Sequence, residues 1–306
     1  MELAEIRSFL ILAELLHFGR AAAVLHLSQP ALTKQVHRLE EAVGGRLFTR
    51  GRHGARLTAV GEQFLAGARP LAADADRLLA LARRAARGEI GRLRIGFGFH
   101  TLELVPRLLV RLRRAVPEVE ISLRDMSTRE QVEGLRAQRI DLGFVRLPVE
   151  DSELETLPVI EDRLMLVAGL SVDLPVHRTL DACRALPFVL ISRERSPSMR
   201  QHVLQLCAKH GFHPRIVQEV PEATTALALV RAGLGVSLFS QSFGIARVPG
   251  VRFHPLADPE AGWSVGAAWR KGDPNPILHR FLEMIRPEAG VQKNRRAARV
   301  VRRRVC

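Results

Sequence analysis

The 306-residue chain exceeds what one ordinary hydrophobic core serves, and its 47% apolar and 25% charged residues suit a globular protein better than a disordered one. The net charge of +14 points toward nucleic acid, yet half of it sits in residues 291–306, which carry seven basic side chains and no acid, so bulk charge alone argues weakly for DNA. Three cysteines (Cys183, Cys207, Cys306) without CxxC spacing argue against a disulfide framework and a zinc knuckle. The acidic start MELAEIRSFL lacks the basic region of a secretory signal, and no apolar run reaches transmembrane length. A reducing cytoplasm, with no membrane partner, is the expected setting.

Leu3, Ile6, Phe9, Leu10, Ala13 and Leu16 recur at helical spacing and predict a first amphipathic helix, broken at His17-Phe18-Gly19. A short second helix follows, with Ala21, Ala22, Val24 and Leu25 as packing residues. In SQPALTKQVHRLEEAVG, Ser28 is a natural N-cap and Pro30 falls in the first turn, where amides lack helical partners anyway. Leu32, Val36, Leu39 and Val43 form one buried stripe, which turns Gln29, Thr33, Lys34 and His37 outward together. Gln makes a bidentate contact with adenine, a Thr methyl meets the thymine methyl, and Lys reaches phosphate or guanine. Gly44-Gly45 closes this helix. RLFTRGRHGARLT then predicts two short strands around a turn at Gly51–Gly54, a wing anchored by Leu47, Phe48 and Leu57. Arg50, Arg52 and Arg56 stand near its tip, suited to phosphates or a minor groove.

A lone Ser-capped amphipathic helix is more often an ordinary solvated helix than a reader of DNA. The ordered combination of helix, short helix, Ser-Gln-Pro-Ala-Leu cap, second stripe, double Gly and basic wing is more specific. The run FGRAAAVLHLSQPALTKQVHRLEEAVGGRLFTRGRHGARLTAVGEQFL resembles the DNA-binding module of LysR-type transcriptional regulators along essentially its whole length. Thr33 stands where that pattern usually has Ser and keeps the hydroxyl. The resemblance implies an all-α winged helix-turn-helix over residues 1–58. Its double-stranded DNA operator would be met by Ser28, Gln29, Pro30, Thr33, Lys34, His37 and Arg38 of the helix, with Arg50, Arg52 and Arg56 of the wing.

From Thr58, a plausible N-cap, helical character continues to about Arg87, so residues 59–88 are expected to be a long linker helix. Phe64, Ala68, Leu71, Ala75, Leu78 and Ala82 make a heptad seam, which pairs two copies of the helix or packs against the same chain. Pro70 is expected to bend it. The resemblance favours pairing: a homodimer through this helix, suited to half-sites on neighbouring DNA turns. It further implies assembly to a homotetramer and contact with RNA polymerase. Gly88–Gly91 is the expected hinge.

Residues 89–290 alternate short apolar strands with helices. RLRIGFG, a helix at 101–115 with Leu104, Leu108 and Leu112, EISLRD, a helix at 128–138 and IDLGFVR form one series. LMLVAG, PFVLIS, a helix at 197–209, PRIVQEV, a helix at 222–232 and GVSLF form a second. GWSVGAAWR and a helix at 275–286 then return. This predicts an α/β fold with a largely parallel sheet, in two lobes joined by two crossover strands. The layout resembles the periplasmic-binding-protein-like (type 2) effector domain of the LysR family, in which a small-molecule effector lies between the lobes.

Gly96 and Gly98 make a GxG after a strand, but Thr101 stands where a dinucleotide loop needs its third glycine. His202, His210 and His213 lack metal-ligand spacing, and no G-x-S-x-G elbow is present. No cofactor, metal or catalytic residue is therefore expected. A solute-binding or metabolic protein of the same two-lobed fold is the alternative; it leaves the N-terminal module unexplained. Loops after strands and helix N-termini favour anions. On that ground His100, Thr101, Ser127, Thr128 and Arg146 from one lobe, with Ser196 and Thr224 from the other, are the expected contacts for a small anionic effector. Residues 291–306 predict a basic, disordered tail.

Overall fold

The computed structural model describes residues 1–51, 54–172, 180–243 and 248–287, with Arg50 described by its backbone alone. Arg52, the Arg50 side chain and the basic segment 291–306 lie outside the described residues. Two compact units divide the chain, Met1–Arg84 and the residues from Ala85 onward.

The first unit opens with α1 (Leu3–Leu15), where the Glu2 amide donates to Glu5 Oε2 across the first turn at 2.9 Å. Leu16 ends it in the left-handed region, φ 51°. Its carbonyl accepts from the Ala55 amide of the wing at 2.8 Å, so the end of one helix fixes the wing. Helix α2 (Phe18–Val24) packs through buried Ala21 and Ala22, but Val24 is exposed, contrary to the expectation from its apolar side chain. Helix α3 (Gln29–Val43) starts on Ser28, whose Oγ accepts from the Ala31 amide at 3.3 Å, and ends on Gly44. Leu32, Val36 and Leu39 are buried as the stripe requires. Strands β1 (Phe48–Gly51) and β2 (Gly54–Leu57) pair antiparallel, Phe48 against Leu57. The core holds Phe9, Leu12, Leu32, Leu39, Leu47 and Phe48, with the ring of Phe64 edge-on to Phe9 at 5.0 Å.

Helix α4 (Ala59–Ala86) begins on Thr58, whose Oγ1 accepts from the Gly61 amide at 2.9 Å, and runs unbroken through Pro70. Phe64 and Ala68 close the core of the first unit. Beyond them the large apolar residues of the seam stand open to solvent: Leu71 is 48% and Leu78 is 68% exposed.

The second unit has two lobes. Lobe one contains β3 (Gly91–Phe97) between β4 (Val119–Asp125) and β5 (Leu142–Arg146), all parallel. Helices α5 (Leu104–Ala115) and α6 (Thr128–Arg136) flank them. The helix expected at 101–115 starts later, because residues 99–101 form a separate 3₁₀ turn. Strand β6 (Leu154–Gly169) then crosses into lobe two, which holds β7 (Pro187–Ile191), α7 (Pro197–Lys209), β8 (Arg215–Val220), α8 (Ala223–Arg231), β9 (Ser237–Ser240) and β10 (Val251–Pro255). Strand β11 (Gly262–Arg270) returns to lobe one, followed by α9 (276–287).

The sheet is mixed, not largely parallel as expected. The long pair β6–β11 is antiparallel, and so are β11–β5, β6–β9 and β6–β10. The first half of β6, LETLPVIEDR, interleaves polar residues and a proline with its apolar ones, and therefore lacks the short apolar run that marks its neighbours. Each lobe has its own core, centred on Phe144 and Phe281 in lobe one and on Phe188 and Trp263 in lobe two.

Candidate DNA-reading helix and inter-lobe cleft

Burial of Leu32, Val36 and Leu39 leaves the opposite side of α3 to solvent, and Gln29, Pro30, Thr33, Lys34 and His37 share it. Gln29 and Lys34 are exposed, and the Gln29 amide oxygen passes near Gly19 of α2. Two of the expected residues have partners of their own. His37 Nδ1 lies 3.2 Å from Glu41 one turn on. Arg38 Nε lies 3.1 Å from Oε1 of Glu5, a carboxylate that is almost fully buried in α1. Arg38 thus ties α3 to α1, alongside the 2.5 Å bond from Ser8 Oγ to Gln35 Oε1. Arg56 is exposed on the wing.

In the second unit, the cleft is assembled where β3, β4 and β5 end. His100, Ser127, Thr128 and Arg146 from lobe one line one small polar cavity with Ser196, Ser198, Met199 and Trp263. Ser127 caps α6: its amide donates to Glu130 Oε2 at 2.7 Å and its Oγ accepts from the Glu130 amide at 3.3 Å. Thr128 Oγ1 accepts from the Arg146 amide at 3.1 Å, which registers α6 against the end of β5 and leaves the hydroxyl proton to donate.

Arg146 reaches across the cleft. Its guanidinium stands 4.7 Å from the Trp263 ring centre, and Nη1 lies 3.5 Å from the Ser198 carbonyl. Nη2 donates to His202 Nδ1. Since Arg has only donors, His202 accepts there, and its Nε2–H donates to the Glu260 carbonyl at 2.6 Å. His202 is therefore the neutral tautomer, in keeping with a pKa lowered by burial and by the Arg146 charge. Burial pushes Arg146 itself down to about 10, which leaves it charged at neutral pH, and Asp162 opposes that shift. Asp162 already accepts from Ser240 and from the Ser242 amide. Asp141, another acid near Arg146 in sequence, is held by Arg94 through a fork of 2.6 and 3.1 Å. Arg146 is thus a half-buried cation resting on a ring and a neutral imidazole.

The His100 ring folds back over Gly98, where a Cβ would stand 2.9 Å from its Cε1. That close approach explains the second glycine of GxG better than any phosphate would. His100 Nε2 is buried without a hydrogen-bond partner, and burial lowers its pKa. Thr101 stands apart: it is fully buried and its hydroxyl donates to the Gly98 carbonyl at 2.8 Å, so it is spent inside the turn. Thr224 lines a second cavity of about 200 Å³, with Phe97, Phe99, Leu102, Ile191 and Phe243.

Sequence reasoning missed Asp125, Arg195, His202 and Trp263. Arg195 Nη2 donates to Asp125 Oδ2 at 2.5 Å and bridges the lobes. Arg195 lies within SRERSPS, a segment whose position was legible although its ion pair was not. Trp263, one of two tryptophans, was available as a signal in GWSVGAAWR.

Comparison with known proteins agrees with both units. The model of the bacterial regulatory helix-turn-helix protein, lysR family, matches residues 3–62, and that of the LysR substrate binding domain matches residues 86–290. The regulator TfdS of Cupriavidus pinatubonensis is 35% identical over 293 residues, covering 95% of this chain and 99% of its own. AlsR of Bacillus subtilis is 33% identical over 287 residues, covering 93% and 95%. The crystal structure of full-length CbnR complexed with its target DNA superposes with a TM-score of 0.76 at 32% identity, covering 94% of this chain and all of that one. The chain belongs to the LysR family of DNA-binding transcriptional regulators.

Proposed function

We propose that α3 reads its operator in the major groove and that a small anionic metabolite, held between the lobes at Arg146, sets the transcriptional output. The carrying observation is Arg146 itself, a half-buried guanidinium that meets Trp263 and a neutral His202 and, among the described residues, no carboxylate at ion-pair distance. A fork of donors in such a place matches a carboxylate or phosphate. Thr128 Oγ1 and Ser127 Oγ stand around the same cavity as further donors, whereas the neutral His100 ring bonds the Phe144 backbone and leaves Nε2 as an acceptor.

On the DNA side, Gln29 and Thr33 are read as base contacts, and Lys34, Arg50, Arg52 and Arg56 as phosphate or minor-groove contacts. Ser28 and Pro30 set the start of the helix against the backbone. His37 and Arg38 contribute at the margin, Arg38 while tied to Glu5. The chain works as a homodimer paired through α4, whose exposed Leu71 and Leu78 continue the seam that Phe64 and Ala68 begin. Two dimers form a tetramer in the cytoplasm, and the DNA-bound assembly contacts RNA polymerase. The basic segment 291–306 adds nonspecific attraction to DNA. The effector acts by binding two arrangements of the lobes unequally.

Fluorescence anisotropy of the full-length protein on DNA from upstream of its own gene tests the DNA reading. A sequence preference over scrambled DNA, with affinity falling as salt rises, is the expected result. Equal affinity for both DNAs at every salt concentration would overturn it.

A further inference from the structure

We infer that the effector is a carboxylate carrying a neutral, ring-sized apolar group, with its acid at Arg146 and its ring in the cavity lined by Phe99, Leu102, Ile191 and Phe243. This rests on the anionic reading of the cleft proposed above and specifies the rest of the ligand. The two cavities share three lining residues, Phe99, Asp125 and Arg195. The ion pair of Asp125 and Arg195 is therefore the partition between a polar pocket and a larger chamber.

The two sides of that partition differ in chemistry. The polar side has Arg146 and the four hydroxyls of Ser127, Thr128, Ser196 and Ser198, but only about 30 Å³ of space, enough for an acid group and little more. The far side has about 200 Å³ and walls of Phe97, Phe99, Leu102, Ile191, Pro221 and Phe243. Phe99 and Phe243 meet edge to face at 6.1 Å, an arrangement that accepts a third ring. Leu102 is 47% exposed, so apolar surface is left there for a ligand to cover. Charges on that side are Glu222, Asp125 and Arg195, with Arg195 already committed to Asp125. A second carboxylate would meet two acids for one engaged cation, which selects a neutral tail and disfavours a dicarboxylate.

Calorimetry and thermal-shift titration of the full-length protein with acetate, phenylacetate, 3-phenylpropionate and the neutral phenylacetamide test this. The better aryl acid is expected to bind at least about tenfold tighter than acetate, as burial of a phenyl group allows. Phenylacetamide should bind at least about tenfold more weakly than phenylacetate, the loss that follows when a charge-assisted fork has no anion. Leu102→Trp, at an exposed position that tolerates size, fills the chamber and should remove the aryl advantage while leaving small-anion binding intact; Phe243→Ala should reduce it. Aryl acids no better than acetate, with all binding lost in Arg146→Met, would overturn the chamber and leave the anionic cleft standing. Phenylacetamide equal to phenylacetate, with Arg146→Met unaffected, would overturn both.

Discussion

The guanidinium of Arg146 lies over the indole of Trp263 at 4.7 Å while its Nη2 is held by His202. One residue comes from the end of β5 and the other from the start of β11, so the cation is positioned by two strands and a helix of the opposite lobe. Any anion that draws Arg146 toward itself must alter this stacking. Trp269 is the second of two tryptophans, so Trp269→Phe leaves Trp263 as the sole indole. Its emission should change and saturate on titration with phenylacetate. Arg146→Lys, which keeps the charge but loses the planar fork and the stacking, should cut the apparent affinity about tenfold. Emission that stays flat while calorimetry detects binding would place the acid away from Arg146.

Gln29→Ala is expected to lose discrimination at one base pair, at a cost of about 1–3 kcal/mol there, because its amide is exposed at the first turn of α3 beside the Ser28 cap. Lys34→Ala should instead weaken all sequences alike and lower the slope of affinity against salt by about one ion. Operator variants ranked identically by wild type and Gln29→Ala would remove Gln29 from base reading.

Leu71 and Leu78 are large apolar side chains left exposed on α4 within the first unit, two turns apart on one stripe. A charge at either position should break a paired helix without disturbing the core that ends at Ala68. Light scattering on Leu71→Glu and Leu78→Glu should show the dimer giving way to monomer with helical content retained. A mass unchanged in both variants would move dimerisation elsewhere.

The helices of the first unit were legible because cap, stripe and stop coincide: Ser28, Leu32 through Leu39, then Gly44. The wing strands were equally plain from Leu47, Phe48 and Leu57 around their glycines. Long-range pairing was not legible. Arg38 has the same local setting as Lys34 one turn earlier, and only the fold brings the buried Glu5 to it. The crossover strand β6 was half hidden because antiparallel pairing with β11 suits polar residues that a short apolar run would exclude. In the cleft, the strand-end positions His100, Thr128 and Arg146 followed from the α/β pattern. Thr101 did not belong with them, since adjacent residues in a 3₁₀ turn point different ways. Trp263 and His202 come from the far lobe, over fifty residues away, and no local signal joins them to Arg146.

Arg38→Ala carries a consequence for stability that a surface arginine ordinarily lacks. It leaves the Glu5 carboxylate, 5% exposed, with only the more distant Met1 ammonium at 3.8 Å, which should destabilise the first unit by about 1–2 kcal/mol. Arg38→Ala combined with Glu5→Gln should recover part of that loss. Urea unfolding of the two variants measures it, and equal stability of wild type and Arg38→Ala would show the pair to be idle.

His210 gives lobe two a pH dependence whose direction is fixed by its partners. Its Nε2 lies 2.6 Å from Asp258 Oδ2 and its Nδ1 3.1 Å from Asp181 Oδ2, so both ring nitrogens donate and the imidazolium is the favoured form. The hydrogen bond to Asp258 raises the pKa above its ordinary 6.5, burial opposing, with Asp181 adding to the rise. Asp258 is held below its ordinary value: burial alone would raise it, but His210 and the Glu260 amide outweigh that. A folded-state pKa above the unfolded one means that the folded protein binds the proton more tightly. The stabilisation is therefore complete below about pH 6.5 and is lost as pH rises through the raised value, while Asp258, held low, stays ionised throughout. His210→Asn keeps a hydrogen-bonding side chain but cannot be charged. Its deficit in urea midpoint against wild type should be largest near pH 6 and shrink steadily toward pH 8.5. A deficit that stays constant over this range would mean that the neutral ring makes the same contacts, and that the two aspartates hold His210 by shape without its charge.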